Sequence, residues 1–439
     1  MKTFYTYLTF LIVAFVKANY VEPFKANPPI FCSEHARCPF MWPCCSQYGQ
    51  CGSGPLCIVG CNPKSSYNIK SCVPIPALLP ALGSGSHEQA AEVVNFVQRA
   101  TLATSFERKM SPELYNTHHE EQKFQMSAVE SDLNSRGLIH FPDFLITSNS
   151  EIAEQMLEHY DFTHSGFTSI DFRTENLILG MPKGTTGSLI TSAKAFLYGR
   201  AAVTMRTSRG TGVITAIVFM SSTQDEIDFE FIGGELTMVQ TNYYYQGELD
   251  HSKMQKHPLP SDSFEEFHIY EVDWDSERIN WLVDGSVVRT LFKRDTWDPA
   301  AGIFKYPQTP MTLQISLWPA GTSDAPTGTI QWAGGLIDWD HSPDIIKEGQ
   351  LYATVKRVTV TPYDNKFCPE IIGNVTNMIV RNKPIDSFRI SYGYEPKNGI
   401  YNEESLRWYH DAPFYLSSWR STGLNTGKYP EIAETYQEE

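Results

Sequence analysis

At 439 residues, 41% apolar and 13% aromatic, the chain carries enough hydrophobic material for a large core and more than one domain, which excludes a disordered protein. A net charge of −15 argues against nucleic acid and anionic membrane surfaces as partners. Neutral partners remain, and an acidic chain rich in aromatics suits sugars.

Taken in order, Met1-Lys2-Thr3 leads into an apolar run from Phe4 to Val16 that is short for a membrane span and ends in Val16-Lys17-Ala18. Residues 1–18 therefore read as a cleaved secretory signal, and secretion to a cell wall is the expected location. No later stretch approaches a spanning length, and the polar segment 431–439 offers no lipid-anchor signal, so no membrane anchor is expected.

Eight of the nine cysteines fall between Cys32 and Cys72, a density that fits an oxidising compartment and a small stapled module over residues 30–73. Spacing alone leaves 105 pairings open. Zinc is the rival use of these thiols, but Cys44 and Cys45 are adjacent and no Cys-x-x-Cys pair repeats. The run Cys44-Cys45-Ser46-Gln47-Tyr48-Gly49-Gln50-Cys51-Gly52 resembles the centre of the hevein-type chitin-binding module. That resemblance implies bridges Cys32–Cys45, Cys38–Cys51, Cys44–Cys57 and Cys61–Cys72, and sugar contacts from Ser46 and Tyr48. Gln50 stands where a second aromatic is expected and Leu56 near a third, so the resemblance implies weak chitin binding or a purely structural module.

Residues 74–140 read as a linker. Pro74-Ile75-Pro76 and Gly83-Ser84-Gly85-Ser86 open it, Glu88 to Arg108 has helical character, and its length would let the two ends act independently.

From 141 to 365 the chain turns into short β-rich runs: Asn176–Leu179, Phe196–Met205, Val213–Phe219, Met238–Tyr245, His268–Trp274, Ile279–Val283, Met311–Leu317 and Tyr352–Thr361. Asp284-Gly285 between two of them is a hairpin signal. So many strand runs without interleaved amphipathic helices predict an all-β, two-sheet sandwich. The C-terminal extension, 366–439, has little periodicity; Cys368 has no evident partner, and Asn374-Val375-Thr376 is a glycosylation sequon at Asn374.

The chemistry concentrates at Asp225-Glu226-Ile227-Asp228-Phe229-Glu230-Phe231. Alternation at the period of a strand sends Glu226, Asp228 and Glu230 to one face and Ile227, Phe229 and Phe231 to the other. Like charges side by side on one face repel, so a function is the usual reason to keep them. Two glutamates flanking a bond are the equipment for glycosidic cleavage with retention. Read as residues alone, the trio is equally a solvated strand edge.

The wider context carries a resemblance to glycoside hydrolase family 16. The signature Glu-aliphatic-Asp-x-Glu is followed and preceded by further blocks in family order: Gly199-Arg200-Ala201, Arg209-Gly210-Thr211-Gly212, Gln240-Thr241-Asn242-Tyr243-Tyr244, Asp273-Trp274, Trp281-Leu282-Val283-Asp284-Gly285, and Gly328-Thr329-Ile330-Gln331-Trp332-Ala333-Gly334-Gly335. From about Phe141 to Pro362 they look like the fungal Crh-type cell-wall transglycosylases; the signature by itself also resembles plant xyloglucan endotransglucosylases. The resemblance implies a β-jelly roll with the signature strand on the concave face of an open groove, Glu226 as nucleophile, Glu230 as acid and then base, and Asp228 between them shifting their ionisation. Residues four apart on a flat strand lie about 13 Å apart, whereas retention needs carboxyls about 5–5.5 Å apart, so a curved strand is expected.

For substrate contact, Gln240, Asn242 and Tyr244 share one strand face that would continue the acidic one. Trp318 and Trp332 are stacking candidates and Arg206 a contact to sugar hydroxyls, while Trp274 and Trp281 read as core. Tyr243, Tyr245 and the 246–263 segment are positioned to cover the groove. The histidines form no ligand set, and no metal or cofactor is expected. The expected partners are polysaccharides, chitin as donor and β-glucan or chitin as acceptor; the alternatives are a secreted endo-β-glucanase on the same fold or a non-catalytic wall carbohydrate-binding protein.

Overall fold

The computed structural model describes residues 26–79 except 34, 48, 54–59 and 73; residues 92–94; and residues 162–410 except 172, 175, 193, 369–378, 381–382 and 385–389. The expected signal, most of the linker, Tyr48, Cys57 and Asn374 lie outside them.

The predicted strand runs all appear: five of the eight are one to three residues longer, His268–Trp274 is unchanged, the Met238 run ends one residue earlier, and the run from Phe196 starts only at Gly199. In chain order the strands are β1 (Cys44–Cys45), β2 (Cys51–Gly52), β3 (Ile75–Pro76), β4 (Glu92–Val94), β5 (Phe162–Asp171), β6 (Asn176–Pro182), β7 (Ser188–Ser192), β8 (Gly199–Arg206), β9 (Val213–Ser221), β10 (Glu226–Ile232), β11 (Met238–Tyr244) and β12 (Gln255–Pro258). They continue as β13 (His268–Trp274), β14 (Arg278–Val283), β15 (Ser286–Phe292), β16 (Trp297–Asp298), β17 (Ile303–Phe304), β18 (Met311–Pro319), β19 (Gln350–Pro362), β20 (Ile379–Val380), β21 (Lys383–Pro384), β22 (Ile390–Tyr394) and β23 (Leu406–His410). Two short helices, α1 (Thr327–Trp332) and α2 (Pro343–Glu348), lie between β18 and β19.

One continuous antiparallel sheet runs β12-β11-β10-β9-β18-β7-β5-β6-β19-β8-β13-β14-β15. It becomes two layers because β5 pairs with β7 through its first half and with β6 through its second. The change falls at Gly166, whose φ of +74° and backbone neighbours, with Gly187 O only 2.0 Å from where a Cβ would sit, admit no side chain. The sandwich predicted from the sequence is thus a single sheet folded over itself.

The core between the layers takes the apolar face of every long strand: Ile227, Phe229 and Phe231 from β10, Ile217 and Phe219 from β9, Leu313, Ile315 and Leu317 from β18, and Tyr270, Val272 and Trp274 from β13. Trp274 and Trp281 are buried as expected, and each indole N–H finds an acceptor, Pro307 O and Asp228 O, both at 3.0 Å. Tyr243 also turns into this core, so it does not cover the outer face. The Asp284-Gly285 hairpin forms with positive φ at both residues, the twist that matches its flanking strands.

The segment read as a flexible linker begins otherwise. Ile75–Pro76 pairs with β22, Ala77 bridges Ala195, and inside the stretch expected to be helical Glu92–Val94 pairs with β19. The β-branched Val93 and Val94 favour the added edge strand over a helix. The β22–β23 hairpin places Tyr392, Tyr394 and Tyr401 with Ile75, Ala77, Leu79 and Ala195 in a second small core.

In the cysteine-rich module the bridges Cys32–Cys45, Cys38–Cys51 and Cys61–Cys72 form as the hevein resemblance implies. Cys44 is also in a disulfide, and its expected partner Cys57 is outside the described residues. The cluster of Cys32, Cys38 and Cys45 sulfurs is committed to these bridges. Cys368 is a free thiol.

Candidate active site

The acidic face belongs to the layer β12-β11-β10-β9-β18-β7, on the side away from the core. Register assembles it from four strands. Glu226 lies opposite Tyr244 on β11 and Met220 on β9; Asp228 opposite Asn242 and Val218; Glu230 opposite Gln240 and Ala216. Gln240, Asn242 and Tyr244 therefore do continue the acidic face, each as the direct cross-strand neighbour of one carboxylate. Beyond β9, Thr312, Gln314, Ser316 and Trp318 of β18 extend the same rows.

The electrostatics differ from the sequence expectation in one respect. Asp228 is fully buried, while Glu226 and Glu230 stay partly open. Burial first, then the charge of Glu230, raises Glu226 to about 7, and burial raises Glu230 to about 7. Asp228 is pushed well above the carboxylate range, by burial and then by Glu230 and Glu226. The aspartate is therefore the group held neutral, and burial together with the mutual repulsion of the glutamates, rather than an Asp228 charge, lifts the pair. Two glutamates that resist simultaneous ionisation leave one charged and one protonated near neutrality, the division of labour that retention requires.

Among the described residues none of the three forms a salt bridge, and Asp228 Oδ1 and Gln240 Nε2 are buried without a partner. Unsatisfied polar atoms of this kind on a face open to ligand mark where sugar hydroxyls can bond.

Two residues outside the trio hold this arrangement. Asp225 is completely buried, accepting hydrogen bonds from Gln246 N (3.1 Å), Gln308 N (3.0 Å) and Thr309 Oγ1 (2.6 Å), which fixes the start of β10; its burial raises it to about 6. Arg289 of β15 reaches from the opposite layer, donating to Thr241 O at 2.8 Å and Lys253 O at 2.8 Å with its guanidinium 4.6 Å from the Trp281 ring. Its positive charge opposes the rise of Asp228. Both could have been suspected only from the neighbours that the fold supplies.

The tryptophan candidates meet. Trp318 and Trp332 stack with ring centroids 6.0 Å apart and planes 26° from parallel, and Trp332 Nε1 donates to Gln240 Oε1 at 2.9 Å. They sit at the Glu230 end of the rows, over Ile214, Ile232, Ala320 and Ala333. What puts them there is close packing of two glycine-bearing loops: Gly212 N donates to Ala333 O and Gly321 N to Gly212 O, and a Cβ on Gly212 would lie 2.7 Å from Ile337 Cγ1. Arg209 ties the first of these loops to α2 with two 2.8 Å bonds to the buried carboxylate of Asp344.

Arg206 is not brought to the site. Its strand β8 lies between β19 and β13 in the other layer, its side chain faces away from the core, and its guanidinium rests 4.7 Å above the Phe267 ring. β8 precedes β9 in sequence but lies far from it in the order of the sheet. In the module, Ser46 is buried, with Oγ accepting from Gln50 N at 3.4 Å.

Comparison with known proteins places these features in context. Residues 156–334 match the family described as Glycosyl hydrolases family 16. The chain is 64% identical to "Probable glycosidase CRR1" of Eremothecium gossypii, over 94% of this chain and 92% of that protein. It is 36% identical to "Crh-like protein 2" of Aspergillus fumigatus, over 94% of this chain and 76% of that one. Among solved structures, "Crh5 transglycosylase in complex with NAG" is 29% identical, with a TM-score of 0.45 over 57% of this chain and 88% of that one.

Proposed function

The chain belongs to glycosyl hydrolase family 16 and is an enzyme of the glycosidase and transglycosylase kind acting on polysaccharides, and from this premise we propose that it is a retaining transglycosylase of the fungal cell wall, moving chitin chains onto β-glucan or chitin acceptors. The observation that carries the proposal is the row-by-row pairing of Glu226, Asp228 and Glu230 with Tyr244, Asn242 and Gln240 on one open face.

The proposed reaction has two steps. Glu226 attacks the anomeric carbon as Glu230 gives its proton to the leaving glycosidic oxygen, so one C–O bond forms to the enzyme and one breaks in the chain. Glu230, now a carboxylate, then takes the proton of an acceptor hydroxyl as that oxygen displaces Glu226, regenerating both groups. Neutral Asp228, beside both, can donate a hydrogen bond to the Glu226 carboxylate and keep it ionised. The stacked Trp318–Trp332 pair offers an apolar face to a pyranose ring.

The test is incubation of the full chain with a chitin oligosaccharide and a labelled β-glucan acceptor, with products separated by size. A labelled product of higher mass is expected. Shortened donors alone would show a hydrolase, and identical product patterns from the natural chain and Glu226→Gln would refute an enzymatic role for this face.

A further inference from the structure

The cysteine-rich module is not held away from the sandwich. Gln314 Nε2, on the acidic face, donates to Oε1 of the module's Gln47 at 3.3 Å. Gln314 shares a row with Asp228, since Asp228 pairs with Val218 and Val218 with Gln314. Two strand spacings put it about 10 Å from Asp228 across the face. A second contact lies on the other side of β10, where Lys64 Nζ donates to Gln246 Oε1 at 3.3 Å. Gln246 is two residues past Tyr244, the cross-strand partner of Glu226.

The same Gln246 gives its side-chain N–H to Tyr401 O of the C-terminal segment and its backbone N–H to Asp225, so module, C-terminal segment and catalytic strand meet at one residue. The module is also short of slack. Its last bridge ends at Cys72, and Ile75 is already paired with Tyr392, which leaves a reach of about 10 Å. Two contacts straddling β10 and β9, and a tether this short, keep it over the Glu226 end of the rows, opposite the tryptophan pair.

We propose that the module is a fixed stop in the groove: Gln47 on Gln314 closes the acidic face on the β18 side and limits how many sugar units of a β-linked chain can lie there. This rests on the reading that the acidic face carries the polysaccharide. The stop explains a use for Gln47 that needs no chitin binding by the module, and it sets a length limit on one segment of the bound chain.

The experiment measures KM for chitin oligosaccharides of increasing length with the full chain. Turnover that is lost in Glu226→Gln is read first and tests the functional reading separately. With a stop, KM falls with each added unit and then reaches a plateau; Gln47→Ala combined with Lys64→Ala, which releases both contacts, moves the plateau to longer oligosaccharides and lowers KM for the longest of them several-fold. An unchanged plateau in that variant, with its thermal unfolding otherwise normal, overturns the proposal.

Discussion

Strands β10 and β13 carry nearly the same pattern and end among different neighbours. On β10, Glu226, Asp228 and Glu230 alternate with core residues; on β13, Glu271 and Asp273 alternate with Tyr270, Val272 and Trp274 in the same core. On β13 the acids have partners: Arg200 of β8 pairs with Glu271 at 2.8 Å, and Tyr363 OH donates to Asp273 at 2.8 Å. Next to β10 stand Met220, Val218 and Ala216 on one side and Tyr244, Asn242 and Gln240 on the other, none of them a cation. An acidic strand becomes a candidate active site when its neighbours decline to pair it, and a structural strand when they do.

The largest effect that tests this contrast is on turnover. Glu230→Gln should lower kcat by about 10²–10⁴-fold and Glu226→Gln by at least as much, whereas Glu271→Gln should leave kcat nearly unchanged. Comparable losses from all three would erase the distinction between the strands.

Arg289→Met comes next. Each buried guanidinium hydrogen bond contributes about 1.5–3 kcal/mol, so a clear loss in denaturant midpoint is expected. Loss of the charge opposing the rise of Asp228 should also move the alkaline limb of the pH–rate profile upward, which a merely structural arginine would not do.

Asp228→Asn probes the stability side. Because the folded pKa of Asp228 lies above its unfolded value, the native state binds the extra proton, and the natural chain loses stability as pH rises from about 4. Asparagine removes that loss, so the Tm of the variant should gain on the natural chain with rising pH, by a few degrees near neutrality and little at pH 4. A difference independent of pH would mean that Asp228 is not held protonated.

The smallest effect is expected from Arg200→Ala. Its partner Glu271 is largely buried but the arginine is 46% exposed, so a change within about 1 kcal/mol and unaltered turnover are expected.

Much of the fold was legible because strand periodicity is local. The runs His268–Trp274 and Ile279–Val283, the Asp284-Gly285 turn and the burial of Trp274 and Trp281 follow from residues within a few positions of one another. The same kind of signal exists at Asn398-Gly399, which makes another positive-φ turn between bridged Lys397 and Ile400, but the irregular sequence around it conceals the β22–β23 hairpin. Arg206 and Arg289 failed in opposite directions for one reason. Both are arginines on strands, and only the order of the folded sheet separates the one that rests on Phe267 from the one that bonds Thr241 beneath the site.

By itself the sequence determined the chemical kit: three carboxylates on one face of a strand, a stapled module, and family blocks in order along an all-β stretch. The tertiary structure alone decided which polar residues stand beside the carboxylates, that Asp228 is the one kept neutral, and that the module rests against the same face. The physical reason is range. Alternation along a strand is written in adjacent residues, whereas burial and charge at β10 are set by chains that arrive there only when the sheet closes, from β15 in the other layer to a glutamine of the amino-terminal module.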